Sequence, residues 1–233
     1  AIAMGYDRAA DIRQLANDQA LPADQPVPPG LYGHAASIGV DVPHDPAAAR
    51  ALLDRFGYRD RDGDGFRETP DGKPLALVKG STTDAAARAS DELWKRSMDA
   101  IGIRITFVKN KWPELNKMTE AGQMMMWGLG WISGIPDGDP FYSYLVSRNI
   151  GTSNDARLRL PEYDRLYDEA RILPDGPRRN AIFAKLNRLI ASYAPWIMND
   201  YPYRNDLTQP WLRGFKANPF QRWQWAYYDV DPH

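Results

Sequence analysis

The chain has 233 residues, 43% hydrophobic and 25% charged, which is enough to bury a core in one large domain or two small ones. Lysine and arginine total 29 against 30 aspartates and glutamates, so a net charge of −1 leaves no basic excess for neutralising nucleic-acid phosphates. The absence of cysteine excludes disulfides, thiolate catalysis and Cys-based zinc sites, and no apolar run reaches the roughly eighteen residues needed to span a bilayer.

The N-terminus, AIAMGYDRAADIRQL, lacks the basic–apolar–small pattern of a secretory signal. Asp7 caps a helix running to about Asp18, with Ile12 and Leu15 on one face. LPADQPVPPGLYG breaks all periodicity and predicts an extended, proline-stiffened surface segment. In DPAAARALLDRFG, Asp45 is the N-cap, Pro46 occupies the first helical position and Gly57 follows the last turn.

An alternation then sets in. LALVKG (75–80) reads as a short strand, and TDAAARASDELWKRSMDAIG as a helix with Ala86, Leu93, Trp94, Met98 and Ile101 on one stripe, ended by Gly102. IRITFVKN (103–110) alternates strictly, with Ile103, Ile105 and Phe107 facing one way. Pro113 opens a short helix over 113–121. MMMWGLGW (124–131) is a continuous apolar run that predicts a strand covered on both faces, with Met124–Met126 as buried filler. Strands alternating with helices over short connections imply an α/β domain with a mostly parallel sheet and right-handed crossovers.

Two amphipathic helices follow. Tyr163, Leu166, Tyr167, Ala170 and Leu173 form the stripe of one; Ile182, Phe183, Leu186, Leu189, Ile190 and Tyr193 form that of the other, with Arg and Lys opposite. From Pro195 the chain reads as extended.

Ligands of open parallel sheets lie beyond the carboxyl ends of the strands. The longest loop at such an end is WISGIPDGDPFYSYL, which joins Trp131, Ser133, Gly134, Asp137, Asp139 and Tyr142. Apolar walls with a few oriented polar groups suit a small-molecule cleft, and Asp139 also fits as the cap of a following helix begun by Pro140. His34, His44 and His233 are unclustered, and no nucleophile elbow, phosphate-cradling loop or zinc-protease motif is present. Asp137 and Asp139 could serve acid–base work, but a spacing of two in a loop does not fix their separation, so an enzyme reading has no positive support.

DRDGDGFRETPDG places acids at Asp60, Asp62, Asp64, Glu68 and Asp71 around Gly65, close to the Asp-x-Asp-x-Asp-Gly pattern of a calcium loop. The twelfth residue is aspartate rather than the longer glutamate, Pro70 precedes it, and the next segment is a strand. The alternative is a helix-to-strand connection built from Asp-Gly turns. No cofactor is required; a calcium ion here would be structural, and would favour a calcium-stabilised protein-interaction module as the competing function.

Over nearly its whole length the chain resembles the C-terminal half of the family 5 extracellular solute-binding proteins, the peptide-, dipeptide- and nickel-binding receptors of ABC importers. The resemblance rests on the order of AIAMGYDRAADI, DPAAARALLDRFGYRDRDGDGFR, GIRITFVKNKWPELNKM, GLGWISGIPDGDPF, LPEYDRLYDEAR, RRNAIFAKLNRLIASYAPWI and RGFKANPF. It implies one lobe of a type II periplasmic-binding-protein fold, with a mixed, mostly parallel sheet flanked by helices. Residues 1–210 would form the C-terminal ligand-binding lobe, and 211–233 a tail returning to an N-terminal lobe that covers the apolar Trp223, Trp225 and Tyr227. It further implies a periplasmic or extracellular location, a signal peptide in the full-length protein, permease subunits as partners, a peptide or other small solute as ligand, and no membrane insertion. Peptide-binding relatives follow the tryptophan that matches Trp131 with Ala-Asp-Tyr-Pro-Asp, the first aspartate pairing with the peptide's α-amino group; in the matching stretch here, Trp131-Ile-Ser-Gly-Ile-Pro-Asp137, Gly134 takes that aspartate's place. The resemblance therefore implies that peptides with a free N-terminus are not preferred unless Asp137 or Asp139 reaches in.

Overall fold

Three helices begin with the same device, an aspartate side chain that takes a free N–H of the first turn. Asp7, Asp45 and Asp84 accept from Ala10, Ala48 and Ala87 at 2.8, 2.8 and 2.9 Å, opening α2 (Arg8–Gln14), α3 (Pro46–Arg55) and α4 (Ala85–Asp99). A single turn, α1 (Ile2–Gly5), precedes them. The later helices α5 (Trp112–Glu120), α6 (Asp139–Ser143), α7 (Pro161–Arg171) and α8 (Pro177–Tyr193) carry proline in the first turn, where its missing N–H costs nothing. The computed structural model describes residues 1–218, 220 and 224–231; Trp223 and His233 lie outside them.

β2 (Ala76–Ser81) and β3 (Arg104–Lys109) pair in parallel, Leu77 opposite Ile105 and Ser81 opposite Lys109, with α4 as the crossover between them. β1 (Ala20–Pro22) pairs antiparallel with β4 (Asp200–Pro202), and β5 (Leu212–Arg213) with β6 (Asp229–Val230). The fold is α/β, with helices flanking small sheets. Two apolar clusters hold it together. In the first, Leu93, Trp94 and Met98 of α4 pack on Leu77, Ile103 and Ile105 with Tyr6, Ala49 and Leu53. In the second, Tyr163, Leu166, Tyr167 and Ala170 of α7 meet Ile182, Phe183, Leu186 and Ile190 of α8 over Phe141, Tyr142, Leu145 and Val27.

Two expectations from the sequence are corrected. The run 124–131 is not a strand covered on both faces. Only Met126 joins the sheet, its N–H donating to Val78 at 3.2 Å and its carbonyl accepting from Gly80 at 2.7 Å. Met125 is 61% exposed and Leu129 is exposed too, so Met124–Met126 is not buried filler. Gly128 and Gly130 offer no side chain to pack, and the segment runs on past the sheet edge. Nor is the proline-rich segment after Leu21 confined to the surface: Ala23, Gln25 and Val27 are buried. Its polar groups are met internally, Gln25 exchanging bonds with the Ala35 backbone at 3.1 and 3.3 Å while the Tyr201 hydroxyl donates to the Gln25 carbonyl at 2.5 Å. Proline brings no N–H that would need a partner there.

A candidate ligand-facing loop and its arginine support

The loop that leaves Trp131 is bound to the rest of the fold through its backbone. Tyr32 N–H donates to the Pro136 carbonyl at 3.3 Å, and Gly138 N–H donates to the Tyr32 carbonyl at 2.8 Å. Only glycine permits this approach at 138: a Cβ there would lie 2.6 Å from Val27 Cγ2 and 2.9 Å from the Tyr32 carbonyl oxygen. Ser133 tightens the bend itself, its hydroxyl donating to the Ile135 carbonyl at 2.6 Å and accepting from the Ile135 N–H at 3.2 Å.

Beneath the loop lies Arg179 of α8, 5% exposed. Its guanidinium grips Asp137 through Nη1–Oδ2 at 2.7 Å and Nη2–Oδ1 at 3.2 Å. The same group donates to Asp175 at 2.8 Å and, through Nε, to the Ala170 carbonyl at 3.1 Å. The rings of Tyr32 and Phe183 lie 5.2 and 5.0 Å from its Cζ, so the cation is walled by aromatic faces. Asp139 stands 3.9 Å from Nη2 and accepts from the Tyr167 hydroxyl at 3.1 Å. Burial raises the Asp139 carboxyl above its usual range, and burial beside that carboxylate pushes the Tyr167 phenol up to about 12.

The six loop residues singled out in the sequence therefore divide. Trp131 is half-buried, stacked on Tyr144 at 4.9 Å and leaning on Trp196 at 5.1 Å, so it anchors the start of the bend. Ser133 is turned onto the bend's own backbone. Gly134 is exposed, and a Cβ at that position would meet nothing within 4 Å. Asp137 and Asp139 face Arg179 and Tyr167. Asp139 is the first residue of α6 and not its cap; Asp137 takes the Asp139 N–H at 2.8 Å. Tyr142 is corrected outright. It is fully buried against Phe183, 4.6 Å between ring centroids, with its hydroxyl on Asn187 at 2.9 Å, and no face of it is open to a ligand. What the bend offers to solvent is Ile132, Gly134, Ile135 and Pro136.

The family model of the bacterial extracellular solute-binding proteins, family 5, middle region, matches residues 1–153. The chain belongs to this family. Di/tripeptide-binding protein 2 of Pseudomonas aeruginosa is 29% identical over 94% of the chain and 40% of its own length. Heme-binding protein A of Haemophilus influenzae is 27% identical over 94% of the chain and 39% of its length. Among solved structures, the oligopeptide-binding protein AppA of Bacillus subtilis in complex with a nonapeptide superposes with a TM-score of 0.84 at 18% identity, over 99% of this chain and 46% of AppA. DppA of Helicobacter pylori, in complex with the peptide STSA, gives 0.83 at 21% identity, over 98% and 43%. These two likenesses establish the type II periplasmic-binding-protein fold. The chain spans about 40% of the length of the curated relatives it matches.

In this family 5 chain the acidic loop gathers three of its five acids. Asp60, Asp62 and Glu68 bring oxygen atoms within 4.8 Å of one another. Asp64 is drawn to Arg104, and Asp71 to Thr69 and Lys73. Much of the loop's charge already meets backbone donors: Asp60 accepts from Gly63 at 2.7 Å and Gly65 at 2.9 Å, and Glu68 accepts from Arg61 at 2.7 Å.

Two features escaped the sequence reading. Arg179 falls on the apolar stripe of α8, three, four and seven residues before Ile182, Phe183 and Leu186, which marks it as buried, but nothing local names its partners Asp137 and Asp139, some forty residues upstream. The second is an aromatic pair, Trp112 and Trp127, 6.4 Å apart at an interplanar angle of 35°. The position of Trp112 directly after the predicted strand 103–110 was a usable signal, since that is the carboxyl end of a parallel strand.

Proposed function

We propose that this chain is the C-terminal ligand-binding lobe, residues 1–210, of the substrate receptor of an ABC importer, with 211–233 as a tail that returns to a second lobe. The receptor captures a peptide or other small polar solute between the two lobes, outside the cytoplasm, and presents it to membrane permease subunits. No helix among the described residues is long and apolar enough to cross a membrane. The lobe binds without chemistry of its own and needs no cofactor; a calcium ion in the acidic loop would be a structural addition.

The observation that carries this reading is the exposed bend Ile132–Pro136, held from beneath by a buried ion pair, in a chain of the family 5 solute-binding fold. A rigid, partly apolar projection with its polar groups already satisfied from behind is what a pre-organised cleft wall requires. In the tail, Trp211, Trp225, Tyr227 and Val230 are exposed, as expected of a surface that a second lobe covers. Mass spectrometry of small molecules that co-purify with the complete receptor tests the proposal, followed by calorimetry with the compound found. A receptor that carries no small molecule and binds none from a panel of peptides, sugars and metal complexes would refute it.

A further inference from the structure

The carboxyl edge of the β2–β3 sheet carries two indoles that the two core clusters leave out. Trp112 is the first residue of α5, three positions beyond β3, and is 53% exposed. Trp127 directly follows Met126, the residue that extends the sheet beside β2. Its ring is half-buried beside the Asp155 carboxylate. The chain then passes through Gly128, Leu129 and Gly130, all exposed, to the Trp131 bend. At Gly128, Gly130 and Gly134 a Cβ would meet nothing within 4 Å, so this path is bare backbone facing open space.

Much of the charge along the same path is met internally. Asp137 is paired with Arg179, Asp139 faces Tyr167 from a half-buried position, and Asp155 is itself half-buried beside Trp127. A ligand ammonium reaching the bend would lose its water while Asp137 is held by Arg179 and Asp139 stays half-buried, so neither carboxylate stands forward to replace it. A flat, apolar ring face meets the opposite situation: two indoles 6.4 Å apart, one of them half-buried, and glycines that let the ligand approach the backbone closely.

We propose that Trp112 and Trp127 form a stacking platform for a ring-bearing solute, which this receptor recognises through an apolar ring face and not through an ammonium group. The inference rests on the receptor reading above and names the ligand class of that site. Apolar ring faces come from two sources, extended aromatic systems and the CH faces of sugar rings. Both stack on tryptophan.

The test uses the complete receptor and three probes: hemin for the aromatic source, mannohexaose for the carbohydrate source, and trialanine for the ammonium. Binding is followed by calorimetry and by quenching of tryptophan fluorescence. One of the two ring compounds is expected to bind more tightly than trialanine, and Trp112→Ala to weaken it by about tenfold, the worth of one good aromatic contact. Trp112→Phe should restore most of that loss. Melting should be unchanged in both variants, since half of the Trp112 side chain is already in water. Preference for trialanine, or ring binding that Trp112→Ala leaves intact, overturns the platform while the receptor reading stands. Failure of all three probes in a receptor that also carries no co-purified solute overturns the receptor reading itself.

Discussion

Replacing Arg179 with methionine keeps much of the side-chain volume and removes the charge beneath the loop. In the native protein the guanidinium makes two bonds to Asp137, at 2.7 and 3.2 Å, one to Asp175 at 2.8 Å and one to the Ala170 carbonyl at 3.1 Å. The Asp175 side chain is 65% exposed, so that pair contributes within the ~0–1 kcal/mol of a surface ion pair. Asp137 is different. Removing its partner leaves a mostly covered carboxylate with no cation, and breaking such a pair costs about 3 kcal/mol, the lower end of the buried range because Asp137 keeps some solvent. At ~2–4 °C per kcal/mol for a chain of this size, melting should fall by about 6–12 °C. Asp137→Asn alone should also destabilise, but the double variant should recover part of the loss, because the stranded charge is gone. Urea melts of the two single variants and the double variant give the coupling, expected to exceed about 1 kcal/mol. Additivity within about 0.5 kcal/mol would show that Arg179 does not act through Asp137, and the account of the supported loop would fail.

Three further expectations can be checked on the same material. The Asp60 carboxylate satisfies two backbone donors of the acidic loop, so Asp60→Ala should cost about 1 kcal/mol in a urea melt; calcium added after chelation tests an ion there, supported by a melt that rises in the wild type but not in Asp62→Asn and refuted by an unchanged one. Burial raises the Asp139 carboxyl, so the folded state holds that proton to higher pH than the unfolded chain does. Stability attributable to this group must therefore fall as pH rises from the ordinary aspartate range through the raised value, and Asp139→Asn should flatten that part of the profile; an unaltered profile rejects the assignment. Gly134→Asp should fold normally, since a Cβ there meets nothing within 4 Å. It should also raise the receptor's affinity for trialanine by at least about tenfold, the worth of a charged hydrogen bond, and no gain by calorimetry argues against Gly134 facing the ligand.

Much of the fold was written locally. Asp7 and Asp45 announce their helices because a cap needs only the three residues that follow it. The stripes of α7 and α8 came from the 3.6-residue period, and only the terminal Tyr193, 58% exposed, stands off the packed face. The run 124–131 misled because apolar composition is shared by a buried strand and by an exposed edge that meets something else; periodicity cannot separate them. Tyr142 misled for a related reason. An aromatic residue beside a loop can line a cleft or plug the core, and the neighbour that settles it, Phe183, lies about forty positions away.

The sequence alone determined the α/β class, the helix starts marked by caps and prolines, the lack of thiol chemistry and the family, since each depends on composition, local spacing or the order of short motifs; the helix capped by Asp7, expected to reach about Asp18, ends at Gln14. Only tertiary structure decided which groups are free to act. Whether Asp137 is a ligand anchor or half of an internal ion pair depends on Arg179, brought beneath it by the packing of α8. That outcome is a matter of through-space distance and desolvation, two quantities that residue spacing along the chain does not encode.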